Sequence, residues 1–269
     1  MFSFHTTQLG TRVSRWVLAC ACCFGSWTLS AQTQVIAHRG FWKTAGSAQN
    51  SITALNKAAE SHLYGSEFDV QMTVDGVVVV NHDDTIGGFV IHQTPYAQLK
   101  DLKLSNGETL PTLTDYLKAG KKWPELQLIL EIKPHPTEAQ EKQVTETIVK
   151  MVKELGLEKQ VEYISFSLYI CEELVRLSPK SAIAYLKSDK SPQEVKAKGI
   201  SGIDYYYKVF EQHPEWICEA QQLGMKVNVW TVNQTADLEK MIAWKVDFLT
   251  TDVPVEAVKR VDDAKKTKR

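Results

Sequence analysis

The chain has 269 residues, 43% of them hydrophobic, which accommodates a large core and excludes the disordered class. Its 31 basic residues nearly balance 32 acidic ones, so nucleic-acid binding driven by bulk positive charge is excluded. Three of five cysteines (Cys20, Cys22, Cys23) crowd the N-terminus. The remaining pair, Cys171 and Cys218, is too sparse for a disulfide framework and reads as two small buried thiols.

Arg12 and Arg15 precede an apolar run at 16–29 that ends in Ser30-Ala31-Gln32. A basic start, a short hydrophobic segment and small residues before a cut describe a secretory signal peptide over 1–31. The run is too short and too rich in small residues to span a bilayer. The expected product is an exported domain over 32–269, periplasmic or secreted, with no stable membrane span after cleavage. Lipid attachment at Cys20 is the lesser alternative.

From Gln34 onward, β-rich runs alternate with helical patterns. Strands are expected at 35–38, 65–70, 126–132, 162–166, 182–186, 202–206, 226–231 and 246–249. Helices are expected between them, among others at 51–61, 114–121, 137–155, 215–223 and 236–244. Eight strands in one such alternation predict an α/β fold, a (β/α)8 TIM barrel, rather than a doubly wound sheet. One stretch, about 77–113, breaks the rhythm. It follows the second strand, so it is expected as a small insertion over the active-site face. The basic end at 265–269 is expected to be a frayed, solvated tail.

Residues two apart on a strand share a face. In Glu67-Phe68-Asp69-Val70 the apolar pair suits the helix layer, so Glu67 and Asp69 are expected inside the barrel. The same alternation turns Glu131 and Lys133 inward. Each acid alone would more simply pair with a surface lysine. Three carboxylates at one mouth, however, resist joint ionisation without a cation, and all-oxygen ligands suit Mg2+ or Ca2+. His38 and His82 each end a β run, the position from which barrels present catalytic groups, and two imidazoles can divide base and acid roles. His62, His92, His135 and His213 read as structural or surface residues. Arg39 offers a planar fork for phosphate oxygens, and Lys133 adds a second positive charge. Later strand ends supply Ser165 and Ser167, Tyr185 and Lys187, and Asn228 with Trp230. Trp230 reads either as an apolar pocket wall or as core. Asp252 reads either as catalytic or as a cap on the last helix, which Pro254 would open.

The succession His38-Arg39-Gly40, Gln49-Asn50-Ser51, Glu67-Phe68-Asp69, His82-Asp83 and Glu131-Ile132-Lys133 resembles the glycerophosphodiester phosphodiesterase family. Trp230-Thr231-Val232-Asn233 and Thr251-Asp252-Val253-Pro254 are similar to its closing motifs, so the resemblance covers the whole expected mature chain. It implies hydrolysis of a glycerophosphodiester to sn-glycerol 3-phosphate and an alcohol. His38 and His82 would be the acid/base pair, and Glu67, Asp69 and Glu131 would hold one divalent ion, Ca2+ or Mg2+. Arg39 and Lys133 would hold the phosphate, and Asn50 would order the site. Gln49 departs from the family, which usually carries Glu there. Two alternatives stand beside this reading: a lysophospholipase D or other phospholipid phosphodiesterase on the same barrel, and an exported phosphodiester-binding protein without turnover.

Overall fold

The structure is a computed structural model that describes Met1 and residues 32–266. Residues 2–31 of the expected signal peptide, and the last three residues of the basic tail, lie outside the described residues.

Eight parallel strands close into a barrel: β1 (Gln34–Ala37), β2 (Gly65–Met72), β6 (Gln127–Ile132), β7 (Val161–Ser165), β8 (Ile183–Tyr185), β9 (Gly202–Tyr206), β10 (Lys226–Trp230) and β11 (Phe248–Thr251). Each pairs with its neighbours in that order, and β1 returns to pair with both β11 and β2. This is the expected (β/α)8 barrel. The last strand begins two residues later than the sequence suggests.

Helices α1 (Ile52–Glu60), α3 (Leu113–Gly120), α4 (Glu138–Leu155), α5 (Leu168–Leu177), α6 (Pro192–Ala197), α7 (Val209–Gln212), α8 (Glu215–Gln222), α9 (Thr235–Ala243) and α10 (Pro254–Lys266) follow the barrel strands. Their starts carry legible chemistry. Ser51, Thr112, Thr137 and Ser167 each cap a helix by accepting from a backbone N–H in its first turn. Lys265 and Lys266, expected as part of a frayed tail, instead close α10.

Strand alternation builds the core in two layers. Outward residues such as Phe68, Leu128, Leu130, Val227 and Val229 pack under the helices, with Phe68 against Tyr116 of α3 at a ring separation of 4.4 Å. Inward residues Ile36, Ile129, Ile164 and Leu186 fill the lumen.

Residues 73–112 form the irregular segment after β2. Strand β3 (Val78–Val80) runs antiparallel to β2, and β4 (Thr85–Ile86) with β5 (Phe89–Val90) makes a hairpin through Gly87-Gly88. A short helix, α2 (Tyr96–Leu99), follows. The segment has its own small core of Val79, Ile91, Leu99 and Leu110, which fixes it as a packed unit. Both described cysteines are free; Cys171 is buried as expected, but Cys218 is exposed on α8.

Candidate active site

At the C-terminal ends of β1, β2 and β6, three carboxylates converge. Glu67 and Asp69 on β2 and Glu131 on β6 each offer an oxygen, and these oxygens all lie within 4.8 Å of one another. All three residues are buried, at 3%, 1% and 7% exposure. Burial, then the charges of Asp69 and Glu131, holds Glu67 well above the usual carboxylate range. Burial and Asp69 push Glu131 up to about 8 against the pull of Lys133. Burial also presses Asp69 upward, but Lys133, His82, Asn50 and Arg39 together hold it below its ordinary value. Burial among like charges therefore makes joint ionisation of the three carboxylates unfavourable unless a cation joins them. Glu67 Oε1 is buried with no hydrogen-bond partner. Such an oxygen, in an all-carboxylate set, fits a hard divalent cation such as Ca2+ or Mg2+.

The loop after β1 wraps this cluster. Arg39 and Gly40 both take positive φ, 54° and 76°. That turn aims the Arg39 backbone N–H at Glu67 Oε2 (2.8 Å) and the Gly40 N–H at the Glu67 carbonyl (3.0 Å). A Cβ on Gly40 would sit 2.6 Å from the Ala54 Cβ, so only glycine permits the loop to lie against α1. Asn50, also at positive φ (60°), exchanges two hydrogen bonds with Asp69: its amide donates to Oδ2 (3.0 Å) and its carbonyl accepts the Asp69 N–H (3.2 Å). Lys133 bridges Glu131 Oε1 at 2.9 Å and Asp69 Oδ1 at 3.3 Å. The Arg39 guanidinium reaches Asp69 at 3.7 Å and donates to Gln49 Oε1 at 2.7 Å.

Beside the carboxylates opens a cavity of about 240 Å3. Its polar side carries His38, Arg39, His82 and Lys133; its apolar side is Ile164, Phe166, Leu186 and Trp230. The two histidines are held differently. His38 Nδ1 meets Asp252 Oδ1 at 2.8 Å, and Asp252 also accepts from Trp42 Nε1 (3.1 Å), Asn233 Nδ2 (2.8 Å) and Lys43 Nζ (3.3 Å). Asp252 can only accept, so His38 carries a proton on Nδ1 and leaves Nε2 for the pocket. His82 Nδ1 meets the exposed Asp83 Oδ1 at 2.7 Å. The His82 loop is pinned instead by Gln71, whose amide donates to the carbonyls of Asn81, His82 and Asp83. Burial holds His82 below its ordinary value, with Lys133 and Arg39 adding to that and Asp69 opposing it.

Residues 38–256 match the model of the Glycerophosphoryl diester phosphodiesterase family. The chain belongs to that family. A glycerophosphodiester phosphodiesterase of Caldanaerobacter subterraneus subsp. tengcongensis is 30% identical, covering 83% of this chain and 95% of that protein. A crystal structure of a glycerophosphodiester phosphodiesterase from Parabacteroides distasonis is 49% identical, with a TM-score of 0.87 over 88% of this chain and 99% of that one. A phosphodiesterase of Oleispira antarctica, solved with the product sn-glycerol-3-phosphate, shares the fold at 24% identity and a TM-score of 0.73, covering 86% of this chain and 97% of that one.

All nine site residues expected from the sequence gather here. His38, His82, Arg39, Lys133 and Trp230 line the cavity together with Glu67 and Glu131, while Asp69 and Asn50 lie directly behind. Trp230 is a pocket wall: it meets Phe166 edge-on at 5.5 Å and donates its indole N–H to the Asp204 carbonyl at 2.9 Å. Asp252 holds His38 rather than capping α10. Two strand ends differ from the sequence reading. Ser165 bonds the Ile132 carbonyl, and Tyr185 packs beside Tyr205 in the helix-facing core; Phe166 and Leu186 are the residues that face the pocket. Gln71, Phe166 and Leu186 went unrecognised, and Asp83 entered only as part of the His82-Asp83 motif. Gln71 alone carried a usable signal, because it continues the inward parity of Glu67 and Asp69.

Proposed function

We propose that the chain hydrolyses glycerophosphodiesters to sn-glycerol 3-phosphate and an alcohol, using a divalent cation at Glu67, Asp69 and Glu131 and the histidine pair as acid and base. The observation that carries this reading is the juxtaposition of the buried three-carboxylate cluster with two imidazoles across one cavity. The product held by the Oleispira antarctica phosphodiesterase gives the product expected here. When bound, Ca2+ or Mg2+ would polarise phosphate oxygens and offset their charge. Arg39 and Lys133 hold those oxygens and orient the diester. His82, held below its ordinary value by burial, takes a proton from the attacking water at Nε2. His38 delivers a proton from Nε2 to the departing alkoxide, and the Asp252 carboxylate accommodates the imidazolium this requires. The P–O bond to the leaving alcohol breaks as the new one forms, and each proton has a named carrier. Phe166, Leu186 and Trp230 shield one side of the cavity from water. Export through residues 1–31 belongs to the same proposal.

The test is a panel of glycerophosphodiesters and lysophospholipids assayed with Ca2+ or Mg2+. Release of glycerol 3-phosphate from the short diesters supports the reading. Turnover confined to lysophospholipids moves the assignment to a phospholipid phosphodiesterase, and saturable binding without release makes the protein a binder.

A further inference from the structure

The barrel lumen holds a second cavity, of about 390 Å3, at the end opposite the catalytic mouth, where the strands begin. Its volume lies within the range of small-molecule sites. One wall is aromatic: Tyr64 stacks on Phe248 with ring centres 4.6 Å apart. The sides are Ile36, Ile129 and Ile164.

Two acids, Glu162 and Asp204, face this apolar space, and Asp204 also borders the catalytic cavity above it. Glu162 accepts the Tyr64 hydroxyl. Asp204 is only 1% exposed, and its Oδ1 has no hydrogen-bond partner. A carboxylate oxygen buried this way is unfavourable unless something meets it. The neighbouring Asn228 exchanges bonds of 2.9 and 3.2 Å with Thr250 and leans toward Asp204 as well, leaving Oδ1 without a partner. Lys226 at the rim is engaged by Asp247 Oδ1 at 2.7 Å.

The wall chemistry selects a ligand class. The lysines of the lining, Lys180 and Lys226, are exposed at its rim, whereas the two acids face the interior and disfavour an anion there. A hard divalent ion wants six or more oxygens, and among the described residues the three-acid cluster able to hold one is at the other mouth. An ammonium on a short carbon chain answers every surface: charge for the acids, a cationic face for the aromatic wall, methylenes for the isoleucines. We propose that this lower cavity binds a small organic ammonium ion, with Asp204 and Glu162 as its counter-ions and Tyr64 with Phe248 as its aromatic wall.

The site goes beyond the phosphodiesterase reading and does not depend on it. Burial pushes Asp204 up to about 7, against a hydrogen bond from Asn228 and with the charge of Glu162 adding to the rise. The titratable and charged groups that share a cavity with it are Tyr64, Glu162, Lys180 and Lys226 below and His38, Arg39, Glu67, His82, Glu131 and Lys133 above; an arriving cation draws Asp204 into its ionised form, so binding strengthens as pH rises through neutrality.

Calorimetry on the full chain saturated with Ca2+ tests this, using n-butylammonium as the probe and 1-butanol as its neutral counterpart. The expected result is saturable n-butylammonium binding, about ten-fold or more tighter than that of 1-butanol. Asp204→Asn should weaken it by a similar factor. Ala184→Leu, which fills the cavity while keeping both acids, should do the same and carries the test if Asp204→Asn fails to fold. His38→Ala should leave binding unchanged. Equal affinity for 1-butanol, undiminished binding in the folded variants, loss of binding in His38→Ala, or no saturable binding by the wild type would each overturn the proposal.

Discussion

His38 depends on a partner 214 residues away. Asp252 fixes its tautomer, and the carboxylate is itself fixed by Trp42, Asn233 and Lys43. His38→Ala and His82→Ala should each lower kcat by about two orders of magnitude or more, measured by glycerol 3-phosphate release. Asp252→Asn should lower kcat while leaving KM nearly unchanged, since it alters the proton on His38 and not the phosphate contacts; a rise in KM alone would contradict that role. Asp252 also links pH to stability. Burial raises its value, but the hydrogen bond and charge of His38, with Asn233 and Trp42, hold it far below the ordinary carboxylate range. A depressed folded-state value means the stabilisation is complete above the unfolded value and is lost as pH falls toward the folded one. Denaturant titrations between about pH 5 and 3 should therefore show a steeper loss in the wild type than in Asp252→Asn. Equal slopes would remove the linkage. Such a long-range hydrogen bond leaves no local pattern, which is why the sequence presents Asp252 with two roles and no means to choose. Gln49 is the converse case. Its amide oxygen accepts from Arg39, the service a carboxylate would give, so the departure from the family's usual Glu leaves Arg39 oriented.

At the scale of elements, β2 and β6 were readable because their inward residues are charged and their outward ones apolar. Parity alone then places Glu67, Asp69, Glu131 and Lys133. The same reasoning misplaces Ser165 and Tyr185. Each is polar yet faces the helices, because the Ser165 hydroxyl finds the Ile132 carbonyl and the Tyr185 hydroxyl finds Asp189 at 2.8 Å. A satisfied hydroxyl can sit on the buried side of a strand, whereas a bare carboxylate resists it. The loop from β1 to α1 is the element on which the site turns. Gly40→Ala sets a methyl against Ala54 at positive φ, and should cost about 1–3 kcal/mol of stability by denaturant unfolding. Because the Arg39 N–H and guanidinium lean on the same turn, kcat/KM should fall with it. A variant with wild-type stability would show that the approach to α1 is not tight.

Across the whole molecule, the barrel places one charged cluster at each end of a single apolar lumen. The catalytic end gathers three acids from two adjacent strands, and the segment at 73–112 delivers His82 to them across the mouth. A cation that binds the folded chain and not the unfolded one should raise Tm, by an amount that grows with its concentration. Ca2+ or Mg2+ should do so for the wild type, and Glu131→Gln should blunt the shift; an equal shift in that variant would place the ion elsewhere. The central claim is that these carboxylates form the metal cradle of a diesterase. The direct measurement is glycerol 3-phosphate release from glycerophosphocholine by chelator-treated protein, before and after Ca2+ or Mg2+ is restored. Activity should be lost on chelation and recovered on restoration. Full turnover by the chelated protein would contradict the claim.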